Sequence, residues 1–311
     1  MYNPTLIDPP DVGAAAIEAK QHVVLGMPHL SGTGLSEHWL LKELGHVHWQ
    51  LIAQAAGRIQ PDFRDDRGDP VYAAFCALSV RDGDFGAARE NDCLTVRSRL
   101  DRLSRTQFAS RHELTIDRRR IGVVELISTF VRRDGDRASN HTIARYAVAG
   151  LPRIAPDGVG ADLAGTAAEH RAQRLVEHLG FAIDMPPVAS FRFSPCPSTD
   201  FNGAGFLYFA SFAAFADRAE WAHRRAQGLT AVMLTTVRRD IFFTGNLDPG
   251  EDLVVRIMAE TTLGGGMTGH HMAIVSEPRG LSLARLFTLR QEGRSNNFGA
   301  PLQRDAVALI T

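Results

Sequence analysis

The chain has 311 residues, a formal net charge of −1, 44% hydrophobic residues and 22% charged residues. The length suits two domains of about 150 residues each, and the near-zero charge argues against a nucleic acid or an anionic membrane surface as partner. Cys76, Cys93 and Cys196 form no CxxC pair, which argues against a disulfide framework or a zinc site. The sequence contains no membrane-spanning apolar run and no basic, apolar leader, so we expect a cytoplasmic protein.

After a proline-rich arm at residues 1–13, the first predicted element is a helix within Gly34–Gly57. Ser36 can cap the start of this helix and Gly57 can end it. The apolar residues of the segment recur at the spacing of one helical face. They are Trp39, Leu40, Leu44, Val47, Leu51 and Ile52.

Strand-like runs follow the first helix. One begins at Asp92 with DCLTVRSRLDRL, a second contains His112 in RTQFASRHELTI, and a third begins at Gly122 with GVVELISTFVRR. The alternation of apolar and polar residues in these runs is typical of half-buried antiparallel strands.

The middle of the sequence is predicted to connect two domains. Leu151–Gly165 has the composition of a linker, and a short helix is predicted at Thr166–Gly180. We therefore expect a first domain at 1–150, a linker with a short helix at 151–180, and a second domain at 181–311.

The second half repeats the order of the first, with a helix followed by strands. The helix is predicted within Asn202–Gly228 and is apolar on nearly all sides up to Ala216, as expected for a helix wrapped by a sheet. Strand-like runs begin at Glu251 and Gly280. In the alignment of the halves, Leu94, Val96 and Arg97 match Leu253, Val255 and Arg256, and His112 matches His271. The sequence thus predicts an α+β fold of two antiparallel sheets, each wrapping a central helix, with one shared core.

One segment of the second half resembles a known signature. In SPCPSTDFNGAGFLYFASFAAFADRAEW (Ser194–Trp221), Asp200 and Gly203 occupy the positions of the D-x-x-G loop that leads into the apolar helix of hot-dog thioesterases. This segment, together with Gly26–Trp49 and Phe242–Val255, is similar to the double hot-dog acyltransferase/decarboxylase family of polyketide pathways, the leinamycin-pathway type. The resemblance spans most of the chain.

The resemblance implies a function as well as a double hot-dog fold. The expected reaction takes the acyl group of methylmalonyl-CoA, or of another malonyl-type CoA ester, removes carbon dioxide, and loads the product on the phosphopantetheine arm of an acyl carrier protein. No bound cofactor is implied, since the coenzyme A thioester is the substrate. A hot-dog thioesterase, a dehydratase and a non-catalytic acyl or carrier-protein binding module remain as alternatives. Because the long edges of hot-dog sheets need covering, we also expect a homodimer.

The chemistry is expected in the loop Ser198–Gly205. Asp200 is a candidate for orienting or acid–base work, or for organising the loop through backbone N–H groups. Free N–H groups at a helix start, beside Asn202, Gly203 and Gly205, would hold the oxyanion or enolate of the reaction. Simple close packing is the alternative for the glycines. Ser198 and Thr199 are candidates for holding the carboxylate or giving a proton.

The corresponding loop of the first half contains His29 and Ser31, which we expect to reach across the interface into that site. A structural, hydrogen-bonded role is the alternative for His29. For the phosphates of coenzyme A, Arg238, Arg239, Arg294 and Asn296 are candidates, because guanidinium groups bind phosphate in bidentate fashion. A solvated basic face is the alternative for these four residues.

Histidine pairs give no metal site in the sequence. His46 and His48, two apart on a helix, point away from each other. His270 and His271 are neighbours on a predicted strand and should face opposite sides of the sheet.

Overall fold

The computed structural model describes residues 17–133, 139–148, 150–229, 233–277 and 279–293. The proline-rich arm, Arg294 and Asn296 lie outside these residues. Within the described ranges, no helix combines the length and the apolar character that a membrane span needs.

In the described residues, the first half contains one long helix, α1 (Glu37–Ala55), and five long strands. The predicted cap is present, since the Ser36 hydroxyl accepts a hydrogen bond from the Trp39 amide at 3.3 Å. Gly57 has a left-handed backbone after the last turn, at φ +67°. The strands are β1 (Ile17–Val24), β2 (Pro70–Arg81), β3 (Cys93–Arg102), β4 (Gln107–Ile116) and β5 (Arg119–Arg133).

The connection between the halves differs from its prediction. The helix α2 is Ala161–Arg171, and in place of further helix the chain turns and then forms a small hairpin, in which Glu177–His178 pairs with Phe181–Ala182. The left-handed residues Gln173 and Leu179 interrupt the helical backbone before Gly180 does. Leu163 and Ala167 bury one face of α2 against the sheet, so this segment covers the surface of the sheet that faces away from α1.

The second half contains a one-turn helix, α3 (Pro197–Asp200), and a long helix, α4 (Phe209–Ala226). The residues Asn202–Gly205 form a turn before α4, so the expectation that they supply a helix start is wrong. The reason is local: Asn202 closes this turn with Gly205, and Phe201 bridges to Leu207. The strands are β6 (Ala189–Phe193), β7 (Leu234–Phe243), β8 (Leu253–Leu263), β9 (Met267–Ser276) and β10 (Ser282–Glu292).

All ten strands belong to one antiparallel sheet in the order β1-β3-β4-β5-β2-β7-β10-β9-β8-β6. The second half repeats the order of the first in reverse, so the halves are related by an approximate two-fold axis at the β2–β7 junction. That junction pairs Ala77–Val80 with Arg239–Phe242 only. The predicted arrangement of two sheets around two central helices is therefore confirmed, with the two sheets fused. Short strands flank the main sheet at Leu30–Ser31, Gly34–Leu35, Phe63–Arg64, Ile143–Arg145, Glu177–His178 and Phe181–Ala182.

One apolar cluster joins the two halves. It contains Leu40 and Leu44 of α1, Ala210 and Phe212 of α4, and strand residues from both parts of the sheet. This is the continuous core that the sequence predicts.

The alignment of His112 with His271 is not kept in space. His112 faces α1, whereas His271 faces the other side of the sheet and stacks on Phe287 with ring centroids 4.5 Å apart. A bulge in β8 between Ile257 and Ala259 adds one residue and shifts the repeat. As a result, the neighbouring His270 faces the central helix α4, near Glu220. The prediction that the two adjacent histidines face opposite sides of the sheet is therefore confirmed.

Candidate functional site

A cavity of about 910 Å³ lies where the first part of β2 and the end of β7 diverge from their short junction. The first half contributes α1, β2 and β5 to its wall, and the second half contributes the loop before α4. Much of the wall is aromatic and apolar. Lining residues used below are Gly45, His48, Trp49, Phe75, Cys76, Thr129, Arg145, Arg171, Asn202, Gly203, Phe206, Leu207, Phe209, Phe212, Phe243 and Asn246.

A second cavity of about 250 Å³ lies at the opposite end of the β2–β7 junction. It is bounded by the loop before α1, the start of β7 and the middle of α4, so it is the two-fold counterpart of the large cavity. Its lining includes Ser31, Ser36, Glu37, Asp217, Thr236 and Arg290.

The two cavities differ because the equivalent helix positions carry different side chains. Aligning Ser36 and Tyr208, the residues that precede α1 and α4, places Gly45 opposite Asp217 and His48 opposite Glu220. Gly45 has no side chain, so the Phe209 ring packs directly against α1 at the wall of the large cavity. At the equivalent position of α4, the Asp217 side chain lines the small cavity.

Buried charges occupy the small-cavity side. Arg239, 1% exposed, bonds Glu37 at 2.8 Å and Asp217 at 2.5 Å. Arg290 bonds Asp217 and, at 2.8 Å, Glu220. Burial by itself lowers the pKa of Arg290, but the carboxylates of Asp217 and Glu220 outweigh it and raise that pKa above its usual range. These ion pairs leave little space for a ligand.

The large cavity has the opposite electrostatic character. Its lining contains Arg145 and Arg171 and, among the described residues, no carboxylate. Neither arginine forms an ion pair within the part of the chain that the structure describes. The Thr129 hydroxyl is buried and finds no hydrogen-bond partner among the residues that the structure describes. Burial raises the pKa of the Cys76 thiol in spite of the nearby Arg171. The cavity therefore favours an apolar ligand that carries negative charge at one end.

A buried hydrogen-bond network extends from His48, a lining residue of the large cavity, into the sheet. His48 bonds Ser110 at 2.7 Å and Ser128 at 2.8 Å, and His112 bonds Ser110 at 2.8 Å and Ser98 at 2.8 Å. Burial lowers the pKa of both histidines to about 3, and for His48 the charge of His112 would add to the effect. Both rings are therefore neutral at pH 7.

The second half also has polar residues at the positions equivalent to His48, Ser110 and Ser128. His48 contacts β4 and β5 through Ser110 and Ser128, and Glu220 contacts the equivalent strands β9 and β10 through His270 and Arg290. The two central helices are thus each attached to their sheet by a polar group at one equivalent place, neutral in the first half and charged in the second.

Asp200 and Asn202 organise the loop before α4. The Asp200 carboxylate, 7% exposed, accepts a hydrogen bond from the Cys196 amide at 2.8 Å, and the Asp200 carbonyl accepts one from the Tyr208 amide at 2.8 Å. The Asn202 side-chain oxygen accepts hydrogen bonds from the amides of Ala204 and Phe206 at 3.0 and 3.1 Å. Among the described residues, the Gly203 amide has no acceptor, and Gly203 is one of the residues that line the cavity.

Of the residues singled out in the sequence, Asn202 and Gly203 line the large cavity. Ser198 and Thr199 are exposed on α3, and neither they nor Asp200 and Gly205 belong to the lining. Gly205 has a left-handed backbone, at φ +74°, which completes the turn.

His29 and Ser31 do not reach across into this site. Ser31 lines the small cavity, and the His29 ring accepts a hydrogen bond from the Gly26 amide at 2.8 Å and packs on Trp39. The expectation that they join the second-half loop is wrong, because the loops before α1 and α4 lie at opposite ends of the β2–β7 junction.

Two of the arginines predicted to meet coenzyme A, Arg238 and Arg239, are engaged elsewhere. Arg238 pairs with Asp240 at 2.7 Å on the side of the sheet that α2 covers, and Arg239 belongs to the buried ion pairs. Arg145, Arg171, Cys76 and Thr129 were not singled out in the sequence. They follow no motif, and only the topology brings them to one cavity.

One cluster outside both cavities has residue types that bind metals. Ligand atoms of His141, Asp248 and Glu251 lie within 4.8 Å of one another. They are already hydrogen-bonded within the protein, since His141 bonds Glu251 at 2.6 Å and Asp248 accepts bonds from Ser139 and Asn140. The cluster joins the segment after β5 to the second half.

Comparison with known proteins supports the fold. No protein-family model matches the chain, and no curated protein matches it. The structure is similar to one described as an oleoyl thioesterase from Lactobacillus plantarum, with a TM-score of 0.62 and 10% identity over 92% of this chain and 100% of that one. It is also similar to a 12:0-ACP thioesterase from Umbellularia californica, with a TM-score of 0.59 and 7% identity over 88% and 94% of the two chains.

A third similar structure is an acyl-ACP thioesterase from Bacteroides thetaiotaomicron, with a TM-score of 0.56 and 10% identity over 88% and 98% of the two chains. At these identities the likeness shows the fold alone. The double hot-dog architecture is confirmed, and the resemblance to the acyltransferase/decarboxylase family stays a prediction.

Proposed function

We propose that the chain is an acyl-thioester enzyme and that the acyl group lies in the large cavity. The observation that carries this proposal is the cavity itself: it measures about 910 Å³, lies between the two central helices, and has a wall that is largely aromatic and apolar. Within the described part of the chain, the Gly203 amide in this wall's loop has no acceptor. Proteins of this fold named above act on acyl thioesters according to their descriptions.

The loop before α4 supplies the electrostatic element of the mechanism. A thioester carbonyl gains negative charge on its oxygen during acyl transfer or decarboxylation, and a fixed N–H donor stabilises that charge. We assign this role to the Gly203 amide, because Gly203 lines the cavity and Asn202 already accepts hydrogen bonds from the nearby amides of Ala204 and Phe206. Aromatic side chains such as Phe209 and Phe212 exclude water and strengthen the interaction.

The finer proposal is decarboxylation and acyl transfer. The acyl group of methylmalonyl-CoA, or of another malonyl-type ester, would be loaded on the phosphopantetheine arm of an acyl carrier protein. The sequence resemblance supports this substrate. The charge of the cavity supports it as well, since Arg145 and Arg171 attract a substrate carboxylate and no described lining residue repels it. The Asp200 carboxylate, which would repel such a substrate, is bonded to the Cys196 amide away from the lining.

The test is mass spectrometry of a phosphopantetheinylated carrier protein after incubation with methylmalonyl-CoA and the chain. A propionyl carrier is the expected product. A methylmalonyl carrier would show transfer without decarboxylation, and free acid without a loaded carrier would show a thioesterase. An unchanged substrate and carrier would contradict an enzymatic role and leave a binding module.

A further inference from the structure

The side chain of Asn140 joins three parts of the molecule. Asn140 belongs to the first-half segment that follows β5 and is 3% exposed. Its side-chain amide nitrogen donates to the Gly205 carbonyl at 2.7 Å and to the Leu247 carbonyl at 2.8 Å. Its side-chain oxygen accepts from the Arg133 guanidinium at 2.9 Å. Both N–H donors and the acceptor of this side chain are therefore in use.

Both bonded carbonyls stand next to lining residues of the large cavity, although neither residue lines it: Gly205 lies between Ala204 and Phe206, and Leu247 follows Asn246. Gly205 closes the turn that presents Gly203. Leu247 follows Asn246, whose side chain bonds the amide and the carbonyl of Leu207 at 2.8 and 3.0 Å. Asn140 itself does not line the cavity. It reaches the cavity only through these two backbone segments.

Neighbouring contacts fix Asn140 in turn. The Arg133 guanidinium donates to the Ala204 carbonyl at 2.5 Å and lies 4.2 Å from the centre of the Phe206 ring. The Asn140 backbone amide donates to the Asp248 carboxylate at 2.6 Å, and His141 bonds Glu251 at 2.6 Å. The loop is thus held from the first half, by groups that do not belong to the second half's own core.

We propose that Asn140 is a positioning residue for the loop Asn202–Leu207, and that through this loop it sets where the Gly203 amide meets the thioester oxygen. The inference rests on the proposed function for its kinetic consequence, but the positioning can be measured without substrate. A donor displaced by about 1 Å loses much of its effect on a transition state, of order 100-fold in rate.

Asn140→Asp is the sharpest substitution, because it keeps the size of the side chain and replaces the N–H donors by an oxygen. That oxygen faces the carbonyls of Gly205 and Leu247, which it repels. Asn91→Asp is the matched control. It makes the same chemical change at an exposed residue, which lies in a turn outside both cavities. Arg133→Gln is a second variant, which removes the guanidinium contacts to the Ala204 carbonyl and to the Asn140 side-chain oxygen but keeps the two N–H donors of Asn140.

The experiment combines hydrogen–deuterium exchange with steady-state kinetics on methylmalonyl-CoA. We expect Asn140→Asp to speed exchange in peptides covering 201–208 at least tenfold, with α1 unchanged, and to lower kcat about 100-fold with KM within about threefold. Arg133→Gln should change the same peptides to a smaller extent. The Asn91→Asp control should behave like wild type.

Unchanged exchange in 201–208 for a folded Asn140→Asp and for Arg133→Gln would overturn the proposal, and so would faster exchange with an unchanged kcat. If the wild-type chain turns over no acyl-CoA, the proposed function fails, and the exchange result alone decides whether Asn140 positions the loop. If Asn140→Asp does not fold, Arg133→Gln decides it.

Discussion

Gly203 offers a test of the loop amide at the level of a single atom. A Cβ added at Gly203 would meet no atom within 4 Å, so Gly203→Ala should fold normally and keep activity within a few-fold. Gly203→Pro removes the N–H itself, and the position suits proline because it is the second residue of the turn that Asn202 and Gly205 close.

We expect Gly203→Pro to lower kcat about 100-fold relative to Gly203→Ala, by analogy with the loss of an oxyanion-hole donor. Initial rates with methylmalonyl-CoA measure the ratio, and circular dichroism checks the fold of both variants. Equal rates for the two folded variants would remove Gly203 from the mechanism.

His48 and His112 predict how the stability of the protein depends on pH. Their folded-state pKa of about 3 lies below the unfolded value near 6.5, so the unfolded chain takes up protons first as the pH falls. The free energy of unfolding should be at its full value above pH 6.5 and fall between 6.5 and 3, by about 1.4 kcal/mol per pH unit for each histidine.

Urea unfolding at pH 7, 5.5 and 4.5 measures this slope. His48→Gln keeps a donor and an acceptor for Ser110 and Ser128 and should reduce the slope by about one proton. His22→Gln makes the same substitution on an exposed residue and serves as the matched control. A wild-type slope that His48→Gln does not alter would refute the assignment.

Individual site residues were predictable only where a motif marks them. Asn202 and Gly203 follow from the D-x-x-G loop, and both line the cavity. Arg145 and Arg171 are more than twenty residues apart in segments without a motif, and Thr129 is one of many strand threonines. Their meeting depends on the path of the chain between the halves, which no local pattern records.

Helix packing sets the width of the large cavity. The position that a Cβ would take at Gly45 lies 2.6 Å from an edge carbon of the Phe209 ring, so α1 and α4 approach closely there. Gly45→Ala should destabilise the protein by about 1–3 kcal/mol, because overpacking outweighs the better helix propensity of alanine.

Gly165→Ala is the matched control, a helical glycine in α2 whose added Cβ would meet no atom within 4 Å. It should stabilise the protein by about 0.5–1 kcal/mol. Thermal unfolding of both variants measures the contrast, and a stabilised Gly45→Ala would contradict the close packing.

The ends of a helix or strand can be predicted accurately where residues next to those ends determine them. The start of α1 is set by Ser36 and its end lies beside Gly57, so its limits follow from the sequence. The start of α4 does not, because an apolar run from Phe206 onward reads as helix before the backbone becomes helical at Phe209. The bulge in β8 likewise has no sequence marker, and it changes which histidine faces inward.

At the scale of the whole molecule, the fold predicts one ligand per chain. The halves form two equivalent cavities, but Arg239, Arg290, Asp217 and Glu37 fill the smaller one with ion pairs. Titration calorimetry with propionyl-CoA should therefore give a stoichiometry of one per chain. Two equivalent binding events would contradict the closed state of the smaller cavity.

The architecture was the most predictable feature, because helix-then-strands order and alternating runs recur in both halves. The fusion of the two sheets through four paired residues was not visible, since pairing between β2 and β7 joins segments far apart in the chain. Association of two chains stays a prediction. Strands β1 and β6 are the ends of the sheet, and light scattering that shows only a monomer would refute a dimer.

The junction of two halves in one polypeptide has a genetic consequence. In a symmetric pair of identical chains, every codon change appears at both sites at once, so a substitution that closes one pocket closes the other. Here one codon specifies Gly45 and another specifies Asp217, so each pocket can accept a substitution that would destroy the other. A saturation library of this gene should therefore show different tolerated residues at His48 and Glu220, although both occupy the same place in their half.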